Sequence, residues 1–341
     1  MSMNKQIGIG IIGAGRIAQV HTANIAQIKE AKLIAVADIL EEAAKKLASK
    51  YGIKYYTDYR KLLQNDNIDA VIICTPPHTH AQIMIESAEA GKHIFCEKPM
   101  TTTLEDAEKV ISVVKKNRVK LMVGFMLRFT PPHSQIKEMI NKGVIGNIII
   151  MKADVWGWAP VAQWSYEPDK GMGVFDVAIH HIDLFRWFSG EIDRIYVRGG
   201  AFVLDGSKRY GTPDNIIILL SFKNNTLGDI YCSFSTGYGN LLMQIHGEKG
   251  SIFLNYLDKQ SLTLFLKEGF KDNSTIIPAG WSYPDVLWTY GYRGEIEHFI
   301  NCILEDKEPL ITGKDGKDSL EVLLACKESL ITDKIVKLPL K

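Results

Sequence analysis

Two patterns of hydrophobic and polar positions follow one another along the chain. From residue 6 to about 125, short β-branched runs alternate with amphipathic segments, the form taken by βαβ units in a parallel sheet. Strands are expected at Ile7–Ile12, Leu33–Asp38, Ala70–Cys74, His93–Cys96 and Val119–Gly124, and helices at Arg16–Lys29, Glu41–Tyr51, His80–Ala90 and Leu104–Asn117. Thr102, with Glu105 three residues on, gives the last helix a capping-box spacing. Past about residue 125 a helix Pro131–Lys142 leads to a strand near Ile145–Val155 and a helix from Val174 to Phe188. Strands then follow in succession at Ile192–Leu204, Asn215–Phe222, Leu227–Phe234, Leu241–Gly247, Ser251–Asn255 and Ser261–Leu266, before closing helices at Tyr292–Glu305 and Gly316–Thr332. Consecutive strands joined by turn signals read as an antiparallel or mixed sheet. The expected architecture is an α/β domain over 1–125, built on a doubly wound parallel sheet, and an α+β domain over 126–341 with a largely antiparallel open sheet.

Composition narrows the function. Forty basic and thirty-nine acidic side chains give a net charge of +1, which argues against nucleic acid or an anionic membrane as partner and in favour of a small ligand. No apolar run approaches the ~18 residues of a membrane span. The five cysteines, at 74, 96, 232, 302 and 326, show no CxxC spacing, so the expectation is a reducing, cytoplasmic setting without a disulfide framework or cysteine zinc site.

The first strand runs into Gly13-Ala14-Gly15-Arg16-Ile17-Ala18, a GxGxxA motif set where a strand turns tightly into a helix. The first glycine permits the turn, the second admits a pyrophosphate to the backbone, and Ala18 allows close helix–strand packing. The helix N-terminus meets the phosphates with N–H groups and positive dipole. Asp38 ends the next strand about 20 residues on, as a dinucleotide site requires. Its carboxylate accepts from ribose hydroxyls and repels a 2′-phosphate, and Ile39 and Leu40 offer no arginine, so NAD is favoured over NADP. Lys45 or Lys46 swinging back would weaken that preference.

Ligands of open α/β sheets bind outside the carboxyl ends of the strands. Thr75-Pro76-Pro77-His78-Thr79-His80 and Glu97-Lys98-Pro99 follow two such ends and should border the nicotinamide, which makes Thr75, Pro76, Pro77, His80, Glu97 and Lys98 candidate cofactor contacts. Lys98 is also the first candidate for chemistry. A second cluster lies at 175–187, where Asp176, His180 and Asp183 share one face of a helix by spacing. A carboxylate one turn from an imidazole fixes its tautomer and raises its basicity, as a general base near neutral pH requires. His181 points about 100° away and reads as structural. Adjacent histidines on a helix diverge and make poor co-ligands, so no metal is expected.

These residues resemble the glucose-fructose oxidoreductase/inositol dehydrogenase/MocA family over essentially the whole chain. The likeness rests on the GxGxxA fingerprint, Thr75-Pro76, Glu97-Lys98-Pro99, Gly124-Phe125 with Arg128, and Gly171-x-Gly173 leading to Asp176-x-x-x-His180-x-x-Asp183. It continues in a terminal pattern from Phe299 through Pro309 to Leu338-Pro339. The resemblance implies a Rossmann domain and hydride transfer between NAD(P) and a sugar or cyclic polyol. It further implies a homodimer or homotetramer formed through the second-domain sheet, Lys98 as catalytic lysine, and Asp176 and His180 as the catalytic pair. Pro77 and His181 depart from the residues many members carry, Asn and Asp.

The reaction expected is oxidation of a secondary alcohol. His180 removes the hydroxyl proton, Asp176 orients the imidazole, and Lys98 stabilises the developing alkoxide. Trp156, Trp158, Trp164 and Tyr166 are candidates to lie against the C–H faces of a sugar ring, with Arg128 and Asp183 as polar contacts. Two alternatives use the same fold: a glycosidase that oxidises transiently with held NAD, and a non-catalytic sugar or dinucleotide sensor.

Overall fold

A computed structural model of the chain describes residues 6–156, 163–167, 170–236, 241–256, 262–267, 274–277 and 290–340. It separates into two compact units, the described residues of Met1–Phe129 with Leu287–Leu320, and those of Thr130–Val286 with Glu321–Lys341.

The first unit holds a six-stranded sheet, β1 (Ile7–Ile12), β2 (Ala31–Ala37), β3 (Lys54–Tyr56), β4 (Ala70–Ile73), β5 (His93–Glu97) and β6 (Leu121–Gly124). All pairings are parallel, in the order β3-β2-β1-β4-β5-β6. This is the doubly wound order, whose switch point lies between β1 and β4. Central β1 and β4 are buried along their whole length, which explains why they read as continuous apolar runs without alternation. The helices are α1 (Arg16–Ile25), α2 (Glu41–Tyr51), α3 (Tyr59–Leu63), α4 (His80–Glu89) and α5 (Leu104–Asn117). The capping box of α5 is displaced by one residue from the expectation. The Thr103 hydroxyl, not that of Thr102, accepts from the Asp106 N–H at 3.1 Å and donates to the Asp106 carboxylate at 2.9 Å. Both threonines have an acid three residues on, and the register that buries Ala107, Val110 and Val114 decides between them.

The second unit begins with α6 (Pro131–Asn141) and β7 (Ile148–Trp156), followed by α7 (Phe175–Ser189), β8 (Ile192–Gly200) and α8 (Asp205–Tyr210). The strands β9 (Asn215–Phe222), β10 (Leu227–Ser233), β11 (Leu241–Gly247), β12 (Gly250–Asn255), β13 (Leu262–Leu266) and β14 (Ser274–Ile277) come next. With the terminal β15 (Val336–Lys337) they form a nine-stranded sheet, β14-β13-β12-β11-β7-β10-β9-β8-β15. Among the described residues of this sheet, only the β7/β10 pair is parallel. Helix α7 packs on β7 and β10, over the face that carries buried Ile230 and Cys232.

The closing helices divide differently from the expected 126–341 domain. Helix α9 (Tyr292–Leu304) belongs to the first unit, where it packs on α1 and sets Phe299 edge-on to Phe95 of β5 at 5.9 Å. The second boundary falls inside α10 (Gly313–Thr332), between Leu320 and Glu321. An apolar stripe such as Ile296, Phe299 and Ile300 specifies a helix face to be buried, but not which core receives it. Among the described residues, no helix is long and apolar enough to cross a membrane.

Candidate active site

The glycine turn is built as a dinucleotide cradle. Gly13 has φ +98°, and a Cβ there would lie 2.8 Å from the Cys74 carbonyl at the end of β4, so only glycine fits. Gly15 caps α1, and nothing lies within 4 Å of where its Cβ would be. With no acidic residue in the first turn of α1, the positive helix end and this open backbone suit a pyrophosphate. Asp38 is fixed beside the turn, for its Oδ2 accepts from the Ala14 N–H at 2.7 Å and its Oδ1 from the Leu40 N–H at 2.8 Å. Each oxygen retains capacity for a ribose hydroxyl. Beyond it Ile39 and Leu40 are 88% and 67% exposed, and neither offers a cation to a 2′-phosphate. The donor set therefore fits NAD.

Two further loops follow the ends of β4 and β5. Pro77 opens a short 3₁₀ turn, Pro77–Thr79, after Thr75-Pro76. His80 is fully buried, with Nε2 2.7 Å from the Thr75 carbonyl and Nδ1 3.0 Å from that of Pro99. It thus ties the Thr75 loop to the Lys98-Pro99 loop, and burial lowers its pKa below the ordinary histidine value. Glu97 is turned inward, its Oε1 2.7 Å from His21 Nε2 of α1 and its Oε2 3.2 Å from the Lys98 N–H. Burial pushes this carboxyl upward, but the His21 hydrogen bond and the charges of His21 and Lys98 outweigh it and hold the pKa below the usual range. Glu295 of α9 completes the cluster. These two partners, His21 and Glu295, were not legible as site residues. Arg128 is buried too, with its guanidinium 3.2 Å from Asp315.

In the second unit the Gly171-x-Gly173 loop seeds α7. A Cβ on Gly171 would strike the Ser165 carbonyl, and Gly173, at φ +55°, would meet Thr212. The Gly173 N–H donates to the Ser165 carbonyl at 3.0 Å, and the Val174 N–H to that of Pro213 at 3.3 Å. Along α7, Asp176, Val177 and His180 form a half-buried stripe beside buried Phe175, Ala178 and Ile179. His181 is buried, which pushes its pKa down to about 4, in keeping with a structural neutral imidazole. Asp183 is 1% exposed.

The four aromatic candidates separate. Trp156 alternates with buried Val155 and packs edge-on to Tyr231 at 5.2 Å, on the sheet face away from α7. Tyr166 is 8% exposed, lies under Gly206 and accepts the Thr212 hydroxyl at its carbonyl. Trp164, on the turn Gln163–Tyr166, is 38% exposed. Trp158 lies outside the described residues.

Comparison with known proteins accords with this geometry. The profile of an oxidoreductase family with an NAD-binding Rossmann fold matches residues 7–125, and that of the GFO/IDH/MocA C-terminal domain matches residues 133–253. The chain belongs to the Gfo/Idh/MocA oxidoreductase family. It is 31% identical over 333 residues to a myo-inositol 2-dehydrogenase of Thermotoga maritima, across 97% of this chain and 98% of that one. It is 32% identical to a scyllo-inositol 2-dehydrogenase (NAD(+)) of Bacillus subtilis, over 99% and 98%. The structure of a scyllo-inositol dehydrogenase from Lactobacillus casei with bound NAD(H) and scyllo-inositol superposes with a TM-score of 0.83 at 27% identity, covering 98% and 99%. This family member is an NAD-dependent oxidoreductase of CH–OH groups. The glycosidase and sensor readings draw no support from these relatives.

Proposed function

We propose that the chain oxidises a secondary ring hydroxyl of an inositol-like cyclic polyol. The observation that carries this reading is the full-length likeness to inositol dehydrogenases, which extends through both units. NAD supplies the hydride acceptor when bound, with Gly13, Gly15, Arg16, Ile17 and Asp38 as the residues that hold it. His180 takes the hydroxyl proton at its ring nitrogen. Asp176, one helical turn earlier, orients the imidazole and balances its charge. Lys98 donates a hydrogen bond to the oxygen as negative charge develops there. Trp164, half open on its turn, is the aromatic best suited to a polyol C–H face.

The enzyme works in the cytoplasm as a homodimer or homotetramer assembled through the second-unit sheet. The location is supported by five free, buried cysteines, and the assembly by apolar residues on the sheet's outer face.

The test is a panel of myo-inositol, scyllo-inositol and aldoses with NAD and NADP, followed by absorbance of the reduced cofactor. Net NADH from a cyclitol, with NAD preferred, is the expected result. His180→Ala should lose about 10²–10⁴-fold in kcat and still bind NAD by calorimetry. Wild-type turnover by that variant rules out the base assignment.

A further inference from the structure

Beneath the loop that carries Lys98, three ionisable side chains from three elements of the first unit meet in the core. His21 of α1 and Glu295 of α9 are fully buried, and Glu97 of β5 is 7% exposed. One ligand-type atom from each lies within 4.8 Å of the others. The surroundings are apolar: the His21 ring stands edge-on to Phe95 at 5.3 Å and to Tyr292 at 5.6 Å. Within this cluster Glu97 is fully engaged, by His21 on one oxygen and by the Lys98 N–H on the other. Neither oxygen of Glu295 has a hydrogen-bond partner.

That asymmetry decides what the cluster holds. A divalent metal is disfavoured, because two ligands of one zinc at about 2.0–2.1 Å stand more than 3 Å apart in a tetrahedron, whereas His21 Nε2 and Glu97 Oε1 are 2.7 Å apart. A separation of 2.7 Å is a charge-assisted hydrogen bond. Two carboxylates this close in a buried core cannot both ionise when donors of the protein reach only one of them. The engaged one keeps the charge and the orphan keeps a proton.

We propose that the His21–Glu97–Glu295 cluster positions Lys98, with Glu97 as the anion that anchors the lysine's backbone and Glu295 as a neutral acid that closes the core around it. Glu97 is then a positioning residue rather than a direct cofactor contact. The proposal deepens the catalytic role assigned above to Lys98 and rests on it. Burial and the nearby Glu97 charge raise the Glu295 pKa well above the carboxylate range, in agreement with this distribution. The other titratable groups facing the cluster include Lys98 itself, Tyr292 of α9, Cys74 just past β4, Cys96 of β5 and His80 of α4. Burial holds both thiols protonated and lowers the His80 pKa.

The experiment uses the full chain with NAD and the best cyclitol of the panel. Infrared spectroscopy at neutral pH should show a protonated-carboxyl band in the wild type that disappears in Glu295→Gln. Glu295→Gln, in which one neutral group replaces another, is read by the loss of that band alone. Glu97→Gln should lose about ten- to a hundredfold in kcat with a displaced pH profile and little change in NAD affinity. If Glu97→Gln does not fold, His21→Asn, which shortens the donor, should move both readouts in the same direction. Absence of the infrared band overturns the charge distribution. A wild-type kcat and pH profile in Glu97→Gln, or in His21→Asn if it takes that variant's place, overturns the positioning role. Lys98→Ala separates the two levels: full activity there refutes the role of Lys98 itself, whereas a crippled Lys98→Ala beside an unaffected Glu97→Gln refutes only the cluster.

Discussion

The Arg128–Asp315 pair shows how much a single residue's burial alters its meaning. From the sequence, Arg128 reads as a polar contact for substrate. In the fold it is 4% exposed, and Asp315, which it faces, also accepts from the Thr312 N–H at 2.9 Å and hydroxyl at 2.6 Å. Burial raises the Asp315 pKa, but Arg128 and Thr312 together outweigh it and leave it below the ordinary value. A carboxyl with a lowered folded-state pKa adds stability above its unfolded pKa and loses it as the pH falls through the folded one. Asp315→Asn should therefore lower the melting temperature near neutral pH, and the gap to wild type should close as the pH falls below about 4. A gap constant with pH would mean that the pair contributes by packing alone. The same limit applies to Glu295 and Asp183: a charge pattern names an acidic residue, but its surroundings are set by side chains distant in sequence.

At the scale of elements the chain was far more legible. Five of the elements, β1, α2, α5, β9 and β11, coincide with the stretches read from the sequence: in the helices the apolar positions repeat over enough residues to show period 3.6, and β1 is a continuous apolar run ended by the glycine turn. Short elements were not legible. Neither Lys54–Tyr56, half exposed at the sheet edge, nor Asp205–Tyr210 is long enough to show a period. The α5 cap gives this scale its test. Thr103→Ala should cost about 1 kcal/mol in denaturant unfolding, whereas Thr102→Ala should be nearly neutral; equal losses would contradict the observed cap. The loop ahead of α7 was visible as two glycines, but its reason, backbone pressed against Ser165 and Thr212, is a tertiary fact.

For the molecule as a whole, the sheet of the second unit carries the strongest expectation. Its outer face presents Ile217 and Leu219 at 49% and 50% exposure, beside Tyr231 with Trp156 against it. Phe253 and Phe265 pair on the same sheet at 5.2 Å. These exposed apolar residues make this face the candidate for the proposed assembly. Replacing both Ile217 and Leu219 with Asp should yield a smaller species in native mass spectrometry with unchanged secondary structure; an unaltered mass would exclude this face.

The chain returns to its first unit late, and that order has a consequence for synthesis. The parallel sheet is complete once Gly124 has emerged, yet α9, which covers Phe95 and His21, starts only at Tyr292. At 5–20 residues per second the ribosome needs about 10–30 s to cross that interval. Throughout it the nascent cofactor domain shows an uncovered apolar flank to the cell, while the later unit is made almost in full. The domain begun first is thus finished nearly last, and a nascent chain stalled before residue 292 should engage chaperones through that flank.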